Sequence, residues 1–254
     1  LENNTKRRQF IKQAGLAAIA TMVTAEGFPA DLTKPQNNGK TVTVLFQGDS
    51  ITDGGRSFNQ DWNHVLGQGY AYLVSSMLWY QYIGHNMMFY NRGISGNTVL
   101  DLQARWQQDT IDIKPDILSI MVGVNDVYGV IHNKNPRTAE QFRADLQALL
   151  KQTKQALPET KIVICEPFIL PLGQVADAPE RWQNEIAPRQ AIVKELAAQF
   201  DTAFIPLQRL FLSACNKAPA DYWIWDGIHP MPAGHQLIAD EWIKTVKKEF
   251  KFPV

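Results

Sequence analysis

Five short, nearly continuous apolar runs, each closed by a turn residue, set the tightest limit on how this chain can fold. They are Thr41-Val42-Thr43-Val44-Leu45-Phe46, Met87-Met88-Phe89-Tyr90, Ile117-Leu118-Ser119-Ile120-Met121-Val122, Lys161-Ile162-Val163-Ile164-Cys165 and Thr202-Ala203-Phe204-Ile205. A strand with one wet face alternates apolar and polar residues. A strand that is apolar throughout is buried on both faces, as in a parallel sheet covered by helices. Segments with helical spacing fall between the runs, at 70–82, 98–113, 138–157, 181–199 and 233–248. In the third, Phe142, Leu146, Leu149 and Leu150 share one face, and Thr138 with Gln141 forms a capping-box pattern at the start. Strand and helix alternating five times predict an α/β fold, a doubly wound parallel sheet with right-handed crossovers.

Composition narrows the function. Of 254 residues, 45% are hydrophobic and 20% charged, which excludes a disordered chain. Basic and acidic residues number 25 each, so the basic excess of a general nucleic-acid binder is missing. Two cysteines exclude a disulfide-dense scaffold. Cys165 sits in a strand-like run and is expected to be a buried free thiol, with a bridge to Cys215 as the alternative. No run of about 18 apolar residues is present, so no membrane span is expected.

The first 25 residues read differently. Lys6, Arg7 and Arg8 lead into Phe10, Ile11, Lys12 and a small, apolar stretch ending in Val23-Thr24-Ala25. This is the layout of an export signal, and the R-R-x-F-I-K run resembles a twin-arginine address. Residues 1–25 are therefore expected to be an export signal, 26–39 a linker and 40–254 the working domain, exported to the periplasm or beyond the cell. Without the first 25 residues the net charge changes from zero to −3.

In a doubly wound sheet, ligands bind at the carboxyl ends of the strands, so chemistry is sought just after each apolar run. Ser50 follows the first run on a glycine-containing turn, and Asp226 and His229 stand three residues apart before the last helical segment. A serine hydroxyl needs a base to become a nucleophile. His229 can supply it, with Asp226 fixing the imidazole. The Gly93 amide, the Asn125 side chain and the Ser50 amide lie at strand ends, where they could receive an oxyanion. Asp49 is read as a loop brace. His64, His85, His132 and His235 show no metal-ligand spacing, so neither a metal nor another cofactor is expected.

Four blocks in order, Gln47-Gly48-Asp49-Ser50-Ile51-Thr52, Asn91-Arg92-Gly93-Ile94-Ser95-Gly96, Gly123-Val124-Asn125-Asp126 and Asp226-Gly227-Ile228-His229-Pro230, resemble the SGNH (GDSL) hydrolase superfamily. The resemblance implies a flavodoxin-like α/β/α sandwich with a five-stranded parallel sheet. It also implies a serine esterase with Ser50, Asp226 and His229 as its triad and with Ser50, Gly93 and Asn125 around the oxyanion.

The ester is less sharply marked. Trp62, His64, Trp223 and Trp225 place aromatic rings beside polar groups near the expected site, which suits a sugar's apolar face and its hydroxyls. With the export pattern, this favours O-deacetylation of a small or oligosaccharide ester. A lysophospholipase or thioesterase, whose lid could come from the apolar residues of 167–180, is the alternative, and a non-catalytic binding module is a third reading. Amino-terminal sequencing of the protein from its native host is expected to find the first 25 residues removed. An intact segment in a cytoplasmic fraction would count against export.

Overall fold

In the computed structural model, which describes residues 39, 41–59, 62 and 64–251, each of the five apolar runs forms a strand. They are β1 (Val42–Gly48), β2 (Met87–Asn91), β3 (Ile117–Met121), β4 (Lys161–Cys165) and β5 (Ala203–Ile205), all parallel, in the order β2-β1-β3-β4-β5. The order reverses at β1, the switch point that opens a crevice at the carboxyl edge. The proposed export signal and linker lie outside the described residues.

Successive side chains of each strand point to opposite faces and feed two separate cores. Val44, Phe46, Met121, Val163, Cys165 and Ile205 pack under α2 (Tyr70–Gln81) and α9 (Pro232–Phe250), through Tyr70, Val74, Leu78, Ile238, Trp242 and Val246. Leu45, Leu118, Ile120, Ile162 and Ile164 pack on the other side. There they meet α3 (Val99–Trp106), α5 (Ala139–Ala156) and α6 (Pro179–Gln199). This is the three-layer α/β/α sandwich. Local signals set the helix starts: Thr98 with Asp101 and Thr138 with Gln141 close capping boxes, and α6 and α9 begin on prolines.

Two features depart from the helical pattern. The segment 98–113 does not run through as one α-helix, because after Trp106 it widens into a π turn over Gln107–Ile111. The Gln47 amide from the end of β1 reaches this turn and donates to the Asp109 carbonyl (2.8 Å) and to Thr110 Oγ1 (2.9 Å). A side chain inserted beside the ladder is a recognised cause of such a bulge. Four shorter helices also occur, α1 (Ser50–Asp53), α4 (Val124–Ile131), α7 (Leu207–Ala214) and α8 (Ala220–Trp223). The first two start directly after strands and lie inside what reads in sequence as turn. Cys165 and Cys215 are both free, and burial pushes the Cys165 thiol up to about 12.

Leu146 is wholly enclosed in the α5 side of the core. Leu146→Ala is expected to cost about 2–5 kcal/mol of unfolding free energy, read from urea denaturation.

Candidate active site

Register brings the site together. Gly48, the last residue of β1, pairs with Met121 of β3, and Phe46 pairs with Asn91 at the end of β2. Three neighbouring strands thus deliver their following loops to one place. Asp49 caps α1, its Oδ1 accepting from the Ile51 amide at 3.0 Å, so Ser50 is the first helical residue. The Asp49 carboxyl is fully enclosed, and burial pushes its pKa up to about 7 against the pull of that amide. Its position is that of a brace.

Asp226 and His229 come from a tight hairpin closed by the Ile224–Pro230 bridge and by the Trp225 amide donating to the His229 carbonyl. Gly227 sits inside it at φ 95°, and a side chain there would meet the Leu172 carbonyl at 2.4 Å, so only glycine fits. The turn folds Asp226 back onto its own chain. Its Oδ1 accepts from the Ile228 and His229 amides, and its Oδ2 lies 2.7 Å from His229 Nδ1. His229 Nε2 in turn lies 2.9 Å from Ser50 Oγ. Burial alone would raise the Asp226 pKa. The hydrogen bonds from His229 and Ile228 outweigh it and hold the carboxylate below its usual range. An ionised Asp226 fixes Nδ1–H as the donor and leaves Nε2 to accept from the serine hydroxyl.

Gln174 is a contributor that the sequence did not suggest. It stands in a 3₁₀ turn, Gly173–Val175, after β4, and its side-chain amide donates to Asp226 Oδ2 at 3.0 Å. Its backbone amide donates to the Asp226 carbonyl, and the Leu170 amide to that of Gly227. Phe168, Ile169 and Leu170 of the same loop are buried, with Phe168 stacked on Phe211. The stretch weighed as a lid is therefore core below and a brace above. A glutamine in a loop carries no pattern that would single it out.

The oxyanion side requires a correction. The Gly93 amide donates to Asn91 Oδ1 at 2.9 Å, within a buried turn where the glycine abuts the Asp53 backbone. An amide spent on a neighbouring side chain is no oxyanion donor. Gly96, three residues on, is exposed at φ 85°, and among the described residues its amide donates to nothing. The loop carrying it is held beside Ser50: the Ile94 amide donates to the Gly48 carbonyl, and the Ser95 amide and hydroxyl to Asp53 Oδ2. Asn125, in the first turn of α4, donates from Nδ2 to the Asn97 carbonyl at 3.1 Å, which sets its amide beside the same loop. Arg105 of α3 ties these ends together by donating to Gln47 Oε1, the Arg92 carbonyl, Asn97 Oδ1 and Asp109 Oδ2.

Of the aromatic candidates, Trp225 reaches the triad: its ring stacks on His229, with centroids 6.1 Å apart, and is 61% exposed. Trp223 instead donates to the Ala218 carbonyl and packs on Tyr222, as a loop anchor. Trp62 leans on Trp79, and the exposed His64 accepts from Ser57 and Gly67 through its carbonyl. Among the described residues no group of three His, Cys, Asp or Glu side chains could hold a metal ion. No helix among them is long and apolar enough to cross a membrane.

Residues 46–237 match the model of the GDSL-like lipase/acylhydrolase family. An acetylxylan esterase from Geobacillus stearothermophilus is 33% identical over 218 residues, 84% of this chain and 97% of its own. A solved structure of that esterase superposes with a TM-score of 0.71 at 31% identity, covering 81% of this chain and 94% of the other. The crystal structure of a putative GDSL-like lipase from Parabacteroides merdae gives a TM-score of 0.77 at 40% identity, covering 80% and 94%. The chain belongs to the GDSL-like lipase/acylhydrolase family and is a carboxylic ester hydrolase. In the Geobacillus enzyme, the variants solved as catalytic mutants replace a serine, an aspartate and a histidine. The last two stand three positions apart there, as Asp226 and His229 do here.

A second histidine titrates with the fold. His235 accepts the Tyr70 amide on Nδ1 at 3.1 Å, and burial, helped by nearby His229, lowers its pKa to about 4. It is neutral when folded, whereas the unfolded chain takes up its proton near pH 6.5. The stability it lends is therefore complete above that pH and is lost as pH falls toward 4. Relative to His235→Gln, whose amide oxygen can still accept from Tyr70, the wild type is expected to lose up to about 3 kcal/mol over that window in urea unfolding.

Proposed function

We propose that this enzyme removes O-acetyl groups from carbohydrate esters, by way of an acyl-enzyme on Ser50. The observation that carries the mechanism is the unbroken chain Ser50 Oγ–His229–Asp226, with separations of 2.9 and 2.7 Å. As Ser50 attacks the acetyl carbonyl, its proton passes to His229 Nε2. Asp226 stabilises the imidazolium. The Ser50 and Gly96 amides and the Asn125 side chain receive the negative charge on the oxygen. His229 then returns the proton to the departing sugar oxygen and activates the water that releases acetate.

The substrate class is supported by the acetylxylan esterase relative, which the chain matches over nearly the whole of that protein's length. It is supported too by the exposed Trp225 ring beside His229, a surface on which a sugar's apolar face can stack. The burial of Phe168, Ile169 and Leu170 removes the apolar residues that a lid for long acyl chains would need. Export fits the basic and apolar leader of the sequence, and a relative 33% identical over 176 residues, from Bacillus subtilis, is named as an uncharacterised lipoprotein.

Ser50→Ala is expected to lower kcat on an acetylated xylooligosaccharide by about 10⁴-fold or more, with circular dichroism unchanged. Asn125→Ala is expected to cost roughly 10²–10³ in kcat. Acetate release should exceed hydrolysis of esters with chains of about eight carbons. A preference for the long chains would overturn the deacetylase reading.

A further inference from the structure

Beside the outer strand β2, the loop after α1 encloses a cavity of about 290 Å³ lined by Arg56, Phe58, Trp62, Leu66, Phe89 and Arg92. None of Ser50, Asp226 and His229 lines it, and the chemistry above makes no use of it. It nevertheless adjoins the same carboxyl edge. Arg56 lies three residues beyond α1 and holds the Gly93 carbonyl with Nε at 2.7 Å, while Arg92 stands four residues ahead of Gly96 on one loop.

What marks the cavity is a surplus of donors. Arg56 is only 9% exposed, yet Nε is the sole guanidinium nitrogen with an acceptor among the described residues, and the group lies 4.1 Å above the Phe58 ring. Among the described residues the Arg92 side chain donates no hydrogen bond, and its Nε is buried without an acceptor. The carboxylate it faces, Asp109, is 4.0 Å away and already receives Arg105 at 3.0 Å. Arg56 and Arg92 thus bring two guanidinium groups to the lining of one cavity. Buried N–H groups without acceptors carry a free-energy cost that a ligand can remove, and guanidinium forks match carboxylates in shape and charge. Aromatic rings complete the lining, with Phe58 72% and Trp62 57% exposed.

We propose that this cavity is a subsite for a carboxylate-bearing sugar residue of the ester substrate. The carboxylate sits between Arg56 and Arg92, and the ring's apolar face lies on Trp62 and Phe58. The inference rests on the carbohydrate deacetylase reading and adds an acidic glycan as the preferred substrate.

Sodium glucuronate titrated into the whole enzyme by calorimetry is expected to bind at millimolar concentration. Glucose and sodium acetate should bind at least tenfold more weakly, and Arg92→Met should weaken glucuronate tenfold or more. Arg92 is half-exposed, so this variant should fold, and its thermal unfolding curve verifies that. In parallel, kcat/KM on acetylated xylooligosaccharides carrying a glucuronic acid branch should exceed that on unbranched ones at least tenfold. The ratio should fall to about one in Arg92→Met. Glucuronate binding no tighter than glucose, or equal kcat/KM on the two substrates, overturns the subsite. Acetate or phosphate binding as tightly as glucuronate overturns its sugar specificity. If neither oligosaccharide is cleaved while p-nitrophenyl acetate is, the deacetylase reading fails, and the glucuronate titration still decides the subsite.

Discussion

Parallel pairing of β1 with both β2 and β3 is the constraint on which the rest of the molecule depends. Parallel strands all point the same way, so every strand end, and every loop that begins there, emerges on one edge. The pairing of Gly48 with Met121 and of Phe46 with Asn91 brings Ser50, the Gly96 loop and Asn125 to one edge. Asp226 and His229 then need only a hairpin from the far end of the chain. They close the gap with one hydrogen bond between residues 179 positions apart.

Much of this was legible in sequence because it rests on short-range rules. Apolar runs such as Ile117–Met121 report burial on both faces directly, and the Thr138–Gln141 pair announces its helix start. The contact between Asp226 and His229 needs only local folding, because three residues can be closed by a single turn. What was not legible depends on tertiary partners. Gly93 and Gly96 are equally plausible amides in a string of letters. Only the Asn91 side chain, folded back onto Gly93, separates them. The π turn after Trp106 comes from Gln47, about sixty residues earlier, and Gln174 matters solely because a different loop lies beside it.

The site also divides its electrostatics by depth. Asp226, partly exposed and wrapped in four donors, keeps its charge, whereas Asp49 beside Ser50 and Asp126 beside Asn125 are pushed up to about 7 and about 6 by burial. The carboxylate bonded to His229 is thus near the surface, and those that shape the backbone are deep. Arginines take the outer flank, where Arg105 gathers five acceptors and holds strand ends together.

The interlock of Gly173 with Asp226 and of Gly227 with Leu172 has a bearing on how such a scaffold can diversify. A side chain at either glycine would strike the other loop's backbone at about 2.5 Å, so the two loops can change only together. Inserting or exchanging residues in 167–180 to recruit a new substrate would loosen the catalytic carboxylate in the same step. Among the described residues, the loop after α1 makes no hydrogen bond to Asp226 or His229. New specificities are therefore expected to arise by remodelling 54–66, with the loop after β4 inherited nearly unaltered among descendants that retain activity.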